Sequence, residues 1–569
     1  MRAGLSFASA LLLTVAFAIF TSELSTVSEA ASAAKTAKAG IPLYSGLGQV
    51  HHQVTTASPL AQKYFDQGLA FAYGFNHFEA ERSFEQAGHI DPQMAMAYWG
   101  IALVLGPNYN LPQDQDNGKR AFAAMKHARS LKHGATAQER DLIDALSQRY
   151  GSDGKGSARL DQAYAAAMRN VAHSYPDDLD VQTLFAESLM DLHPWQLWTI
   201  DGKPGPDTNE IVTTLEAVLK RNPQHVGANH YYIHAVEASF DPSRAIASAD
   251  RLGALAPAAG HLVHMPAHIY IRTARFHDSA LVNAQAIAAD EAFFAKSKES
   301  GVYPLIYYTH NIHFLCVSEM IEGRSRDALR HARLLEARVP LDEVRVMPMA
   351  EFLVPMAYLV EARFGQWAAI LNEPAPPQDL PFATVMWHYA RGLAFNAKGK
   401  RSKARHEESA VASITAVIPP ARPLGTSNHA KNVAEVAEEV LAGEIASAAG
   451  AHNTAIEKFT HAVHLEDALI YEEPPIWYAP VREQLAAELL AAGRRQEAVT
   501  VYREDLRINP GNPRSLYGLA QTLRSMGQNV EAAAIERRFQ QAWHYADSKP
   551  APLLLPVDAN DNVTDQSND

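Results

Sequence analysis

Apolar and small residues recur along most of this chain with the helical period, in blocks long enough for two helices and a tight turn. In YFDQGLAFAYGFNHFEAERSFEQAGHIDP, Gly68, Ala80, Phe84, Ala87 and Pro92 fall where one helix must approach another, pack, and then stop. LAAELLAAGRRQEAVTVYREDLRINP repeats the arrangement with Gly493, Ala498, Tyr502 and Pro510, and Ala532 in the next block follows Ala498 by 34 residues. GAHNTAIEKFTHAV (Gly450, Ala455, Phe459, Ala462) and EGRSRDALRHARLLEARVP (Gly323, Ala328, Pro340) add two further blocks. Each predicts a helical hairpin whose apolar faces cannot be buried alone, so neighbouring hairpins must stack.

Small residue, A-x-x-x-F and terminal proline at a 34-residue period form the tetratricopeptide (TPR) pattern. The predicted fold is therefore all-α: a TPR-type helical-hairpin solenoid, a right-handed superhelix with long loop insertions, the first helix of each pair lining its concave face. Residues 106–120 and 193–208 are the main insertions. Loops of that length either serve a site or are pinned to the surface, and Trp195 and Trp198 in the second suit both roles. The chain divides into TPR-like repeats with loops at 51–225, a histidine-rich central set at 226–345, and C-terminal repeats at 346–547.

The two ends read differently. Arg2, an apolar run from Leu5 to Phe20 and small residues after it predict an export signal over 1–30, cleaved after Ala30 or Ala33. Residues 31–50 read as a flexible lead-in and 548–569 as a disordered acidic tail. A periplasmic or secreted setting follows from the signal, with no membrane span after its removal. Cys316 is the sole cysteine of the sequence, so no disulfide can form within one chain. A net charge of −13 without a long basic run excludes a nucleic-acid surface.

Histidine is the outlier: 25 in all, nine of them between 225 and 313. Ala245 and Ser279 occupy the small-residue position of successive second helices, 34 residues apart, and the same interval relates His230 to His264 and His234 to His268. Counted within each repeat, His230 and His234 hold positions 5 and 9 of one inner helix, with Glu237 at position 12. His261, His264 and His268 hold positions 2, 5 and 9 of the next, and His310 and His313 hold 2 and 5 of the third. Imidazoles from helices packed about 8–10 Å apart can meet at one ion or two.

Imidazole donors suit zinc or copper, with iron behind them, and Glu237 would be a ligand, an outer partner or a base. If the ion does chemistry, the reaction class is a metal-dependent oxidase or hydrolase. Tyr231 stands where a zincin helix needs glutamate, and no C-x-x-C-H is present for covalent haem. The other reading is a metal-free adaptor that binds a peptide or partner protein in the groove, beside Tyr231, Tyr232, Tyr270, Tyr307 and Tyr308. Pro266 inside the second inner helix predicts a kink or restart that would move His261 and His264 to the incoming turn. The segment 471–484, with Glu472, Glu473, Trp477, Tyr478 and Arg482, predicts a rigid inter-repeat loop set by Pro474 and Pro475, or else a segment that closes the groove or binds a ligand carboxylate.

AQKYFDQGL, FNHFEA, MAYWGIALVLGPNYN, PWQLWTIDGKPGP, HYYIHAVEAS, GHLVHMPAHIY, THNIHFL, EPPIWYAPVRE and SLYGLA together resemble a group of bacterial exported TPR proteins of unassigned function. The resemblance spans nearly the whole mature chain. It implies the TPR fold and a bacterial, exported setting, and no particular reaction.

Overall fold

The computed structural model describes residues 41–297 and 302–550; the expected export signal, the start of the lead-in and nearly all of the acidic tail lie outside them. From Tyr44 onward the chain forms one compact unit. It is a succession of antiparallel helical hairpins, the TPR-type solenoid expected from the repeats. The first half contains α1 (Pro59–Tyr73) with α2 (His77–Ile90), α3 (Ala95–Val104) with α4 (Gln115–Leu131), α5 (Ala137–Leu146) with α6 (Ala158–Ser174), and α7 (Leu179–Met190) with α8 (Thr208–Arg221).

The histidine-rich centre follows: α9 (Val226–Val236) with α10 (Ile246–Leu255), α11 (Gly260–His264) and α12 (Pro266–Arg272) with α13 (Phe276–Ser297), and α14 (Thr309–Ile321) with α15 (Ser325–Arg338). A π-type turn over Tyr303–Tyr308 leads into α14. Short α16 (Leu341–Val346), α17 (Met356–Arg363) and α18 (Trp367–Ile370) precede four regular pairs of helices. These are α19 (Pro381–Ala397) with α20 (Arg401–Val417), α21 (Ala430–Ala448) with α22 (His452–Asp467), α23 (Val481–Ala491) with α24 (Arg495–Ile508), and α25 (Pro513–Ser525) with α26 (Asn529–Ala542). One small ribbon departs from the all-helical expectation: β1 (Pro423–Leu424) pairs antiparallel with β2 (Asn428–His429).

The repeat signature works as small residues usually do. A Cβ at Gly68 or at Gly100 would overlap the fully buried Phe84 ring, so α1 and α3 both close onto α2 through that one side chain. Gly518 does the same over Tyr502 near the C-terminus. Hairpin turns end in glycines in the left-handed region, such as Gly493 at φ +78° and Gly527 at φ +75°.

Winding brings distant repeats together. Gly227 on α9 has no room for a side chain because Tyr73 of α1 lies on it, and Gly511 abuts Ala274. Trp543 packs on Gly323, and Asp547 pairs with Arg326 at 2.9 Å. The described part of the expected lead-in is packed rather than free. The Tyr44 N–H donates to Gln67 Oε1 at 2.8 Å, and its ring lies 5.5 Å from Phe71 and 5.4 Å from Phe293. No described helix is long and apolar enough to cross a membrane.

Candidate metal centre

Three inner helical segments deliver the histidines. His225 caps α9, its Nδ1 accepting from the Ala228 N–H at 3.1 Å. One turn apart on that helix, His230 and His234 share a face, and Glu237 follows three residues later. Pro266 interrupts the next segment without undoing it: α11 ends at His264, Met265 keeps helical dihedrals, and α12 restarts at Pro266. His261, His264 and His268 therefore all stay buried, at 2%, 0% and 2% exposure. His310, in the first turn of α14, completes the set.

The side chains form two triads: His230, His234 and His261, then His264, His268 and His310, with the ligand nitrogens of each triad within 4.8 Å of one another. They share a wall, across which ring centres stand 5.6 Å apart (His234 to His268) and 5.9 Å apart (His261 to His264). Glu237 joins them. One carboxylate oxygen accepts from His234 Nδ1 at 2.8 Å, and the other accepts from His268 Nδ1.

Proton positions follow from these acceptors. His230 Nδ1 donates to the Tyr73 carbonyl at 2.6 Å, and His264 Nδ1 donates to Asn283 Oδ1 at 2.7 Å. The Asn283 amide is itself oriented, because its Nδ2 donates to the Ser279 carbonyl at 2.7 Å. With Nδ1 protonated, each neutral ring keeps a lone pair on Nε2. The Nε2 atoms converge in pairs: His264 Nε2 and His268 Nε2 are 2.8 Å apart, and His230 Nε2 lies 3.1 Å from His261 Nε2. His234 Nε2 is buried without a hydrogen-bond partner.

Burial disfavours charge on five of the six rings. Burial, reinforced by neighbouring imidazoles, holds His230, His261, His264 and His310 well below the ordinary histidine range. Burial also lowers His234, against the pull of Glu237. Burial alone would raise Glu237, but His268 and His234 beside it bring its carboxyl down to about 2. The arrangement is a set of buried nitrogen donors around an anionic outer partner.

A cavity of about 80 Å³ opens onto His234 and His261 of one triad and onto His268 and His310 of the other. Trp195, Tyr307 and Phe352 supply apolar wall, while Gly425 of the ribbon turn, Glu472 and Glu473 close another side. Burial raises Glu473 to about 7 against the opposing charges of Arg272 and His268. The two tryptophans of the 193–208 loop face different surroundings. Trp198 pins it by donating to the Ala235 carbonyl at 2.7 Å, and Trp195 lies 6.0 Å from the His234 ring. In the 471–484 segment Arg482 is engaged by Asp467 at 2.7 Å, so it offers no free cation to a ligand.

His313 lines the same cavity without joining a triad. Its ring lies 5.2 Å from Phe352 and 6.3 Å from Tyr478, with both nitrogens unpartnered. Three residues beyond His310, it sits about one turn further along α14. The tyrosines behave as core: Tyr231, Tyr232, Tyr270, Tyr307 and Tyr308 are all buried. Of the six triad histidines, His234, His261, His268 and His310 line the cavity, and all but His310 are at most 2% exposed.

Sequence reasoning missed Tyr73, Asn283 and Phe75. Phe75, at φ +55°, lies 4.6 Å from the His230 ring and 5.6 Å from the His261 ring. A backbone carbonyl leaves no mark in a sequence; Asn283, polar at 0% exposure on α13, is the one such signal. A further group, His52 with Asp178 and Asp180, is an ion-pair knot. Asp180 meets His52 at 3.1 Å, His225 at 3.2 Å and the Tyr73 hydroxyl at 2.5 Å, tying the N-terminal segment to α1 and to the start of α9.

No protein-family model matches the sequence, and no curated protein matches it. Among solved structures, the chain is similar to the human IFIT1 dimer with m7Gppp-AAAA, at 12% identity over 86% of this chain and 91% of that one, with a TM-score of 0.31. It is also similar to the P58(IPK) TPR domain, at 12% identity over 82% of this chain and 98% of that one, with a TM-score of 0.23. Likenesses this loose carry no functional argument.

Proposed function

We propose that the six imidazoles bind two transition-metal ions, one per triad, and that a small substrate meets them in the shared cavity. The observation that carries this reading is the contact between His264 Nε2 and His268 Nε2, 2.8 Å apart while both Nδ1 atoms donate elsewhere. With Nδ1 committed on both rings, the two Nε2 atoms are the positions left to ligate a shared cation. All-imidazole donors favour zinc or copper over harder ions. Three protein ligands leave a coordination position open, which suits Lewis-acid hydrolysis or copper oxidase chemistry.

A peptide-binding adaptor is less well supported, because it needs an accessible groove and five of the six histidines are at most 2% exposed. A periplasmic or secreted location belongs to the same proposal. The test is metal loading followed by native mass spectrometry of three proteins. The wild type is expected to hold two ions, and His264→Ala/His268→Ala and His230→Ala/His234→Ala one each. Two ions retained in either folded variant would remove the triads from consideration.

A further inference from the structure

A second cavity, of about 310 Å³, lies among the C-terminal repeats and contains no member of either triad. Its walls are mostly aromatic and aliphatic, including Phe352, Trp367, Met386 and Trp477. That volume falls within the range of small-molecule sites, where apolar walls supply affinity and a few polar groups fix orientation. Two polar groups here lack the partners such burial demands.

The first is Arg514, in the first turn of α25, 9% exposed and lining the cavity. Its side chain donates to the Arg363 carbonyl and makes no ion pair with a carboxylate among the described residues. The nearby carboxylate of Glu483 is already engaged: Arg363 holds it at 2.6 and 2.8 Å, and Asn512 Nδ2 donates to it at 2.9 Å. Burial, with Arg363 adding like charge, lowers Arg514 to about 9. A buried guanidinium in this state is costly unless an anion joins it. The second group is Gln484, whose Oε1 is buried and accepts no hydrogen bond. Gln484 lines the same cavity.

We propose that this cavity binds a compact aromatic carboxylate, its acid group on Arg514, its ring among the aromatic walls, and a donor on the ring system offered to Gln484. Arginine meets a carboxylate through a planar fork of N–H donors, which no neutral isostere satisfies. Glu444 also lines the cavity and opposes an acid, so the preference depends on Arg514 outweighing it. Phe352 borders both cavities, which places the ligand one side chain away from the histidines. The site stands independently of whether those histidines hold metal.

The probes are indole-3-propionate and its neutral amide, titrated calorimetrically into the full chain. The acid is expected to bind about tenfold or more tightly than the amide. Arg514→Gln should erase that preference, and Met386→Trp, which fills the cavity, should abolish binding of both while leaving circular dichroism unchanged. Equal affinity of acid and amide for the wild type overturns the proposal, as does binding of neither at millimolar concentration. So does an Arg514→Gln protein that folds and keeps the preference. The acid–amide comparison needs no variant, so it decides even if Arg514→Gln fails to fold.

Discussion

Replacing Glu237 by glutamine removes one charge and one acceptor while keeping the shape of the side chain. In the native protein the two carboxylate oxygens serve one ring in each triad, at 2.8 Å from His234 Nδ1 on one side and hydrogen-bonded to His268 Nδ1 on the other. A glutamine amide can accept from only one of them, and it turns an N–H₂ toward the other. The ring facing that donor is driven to the opposite tautomer, with its proton on Nε2, where it can no longer ligate. Losing an outer partner of this kind lowers metal affinity by about 10–100-fold. That corresponds to roughly 1.4–2.8 kcal/mol. Glu237→Gln should therefore weaken one of the two bound ions by that factor and the other by less, measured by competition against a chelating dye. Two ions held with wild-type affinity would refute the assignment of Glu237 as the shared outer partner.

Further consequences concern stability. His313 is neutral and buried, pushed down to about 3 by burial, whereas in the unfolded chain it titrates near 6.5. The unfolded state thus takes up a proton that the folded state refuses, so stability is lost as pH falls from 6.5 toward 3. At pH 5 the loss is about 2 kcal/mol. His313→Leu in metal-free protein should therefore show a smaller drop in Tm between pH 7.5 and 5 than the wild type; an unchanged drop would contradict the burial argument. Gly227→Val should lower stability by about 1–3 kcal/mol in denaturant titrations, since the new side chain displaces Tyr73 and with it the carbonyl that holds His230. Phe84→Ala should cost about 3–5 kcal/mol in the same assay, because the ring fills the space opposite both Gly68 and Gly100.

The hairpins were legible because their signal is local. Gly68 and Phe84 are 16 residues apart and pack within one repeat, so spacing alone predicts the contact. The 34-residue interval likewise paired His230 with His264 and His234 with His268; the rings of His234 and His268 stand 5.6 Å apart across α9 and α12, whereas His230 meets His261 instead. Register then lost accuracy where the regular period broke. Between the second and third inner helices the chain inserts extra residues and a π-type turn, and of that rung His310 joins a triad while His313 only lines the shared cavity.

Closure of the cavity was not legible at all. It brings Trp195, Phe352 and Glu472 from distant repeats to one cavity beside the histidines, a convergence that no periodicity encodes. The same holds for the Tyr73 carbonyl and for Glu237. The sequence places Glu237 on the right face, but only the fold puts its two oxygens between rings of different repeats.

The central claim is that two ions sit at the Nε2 atoms of two histidine triads. Anomalous diffraction at the zinc or copper edge, from crystals of metal-loaded protein, tests it directly. The expected result is two peaks, each about 2 Å from the Nε2 atoms of one triad. A map with no peak at either triad, or with its only peak on the Nδ1 side beside Glu237, would contradict it.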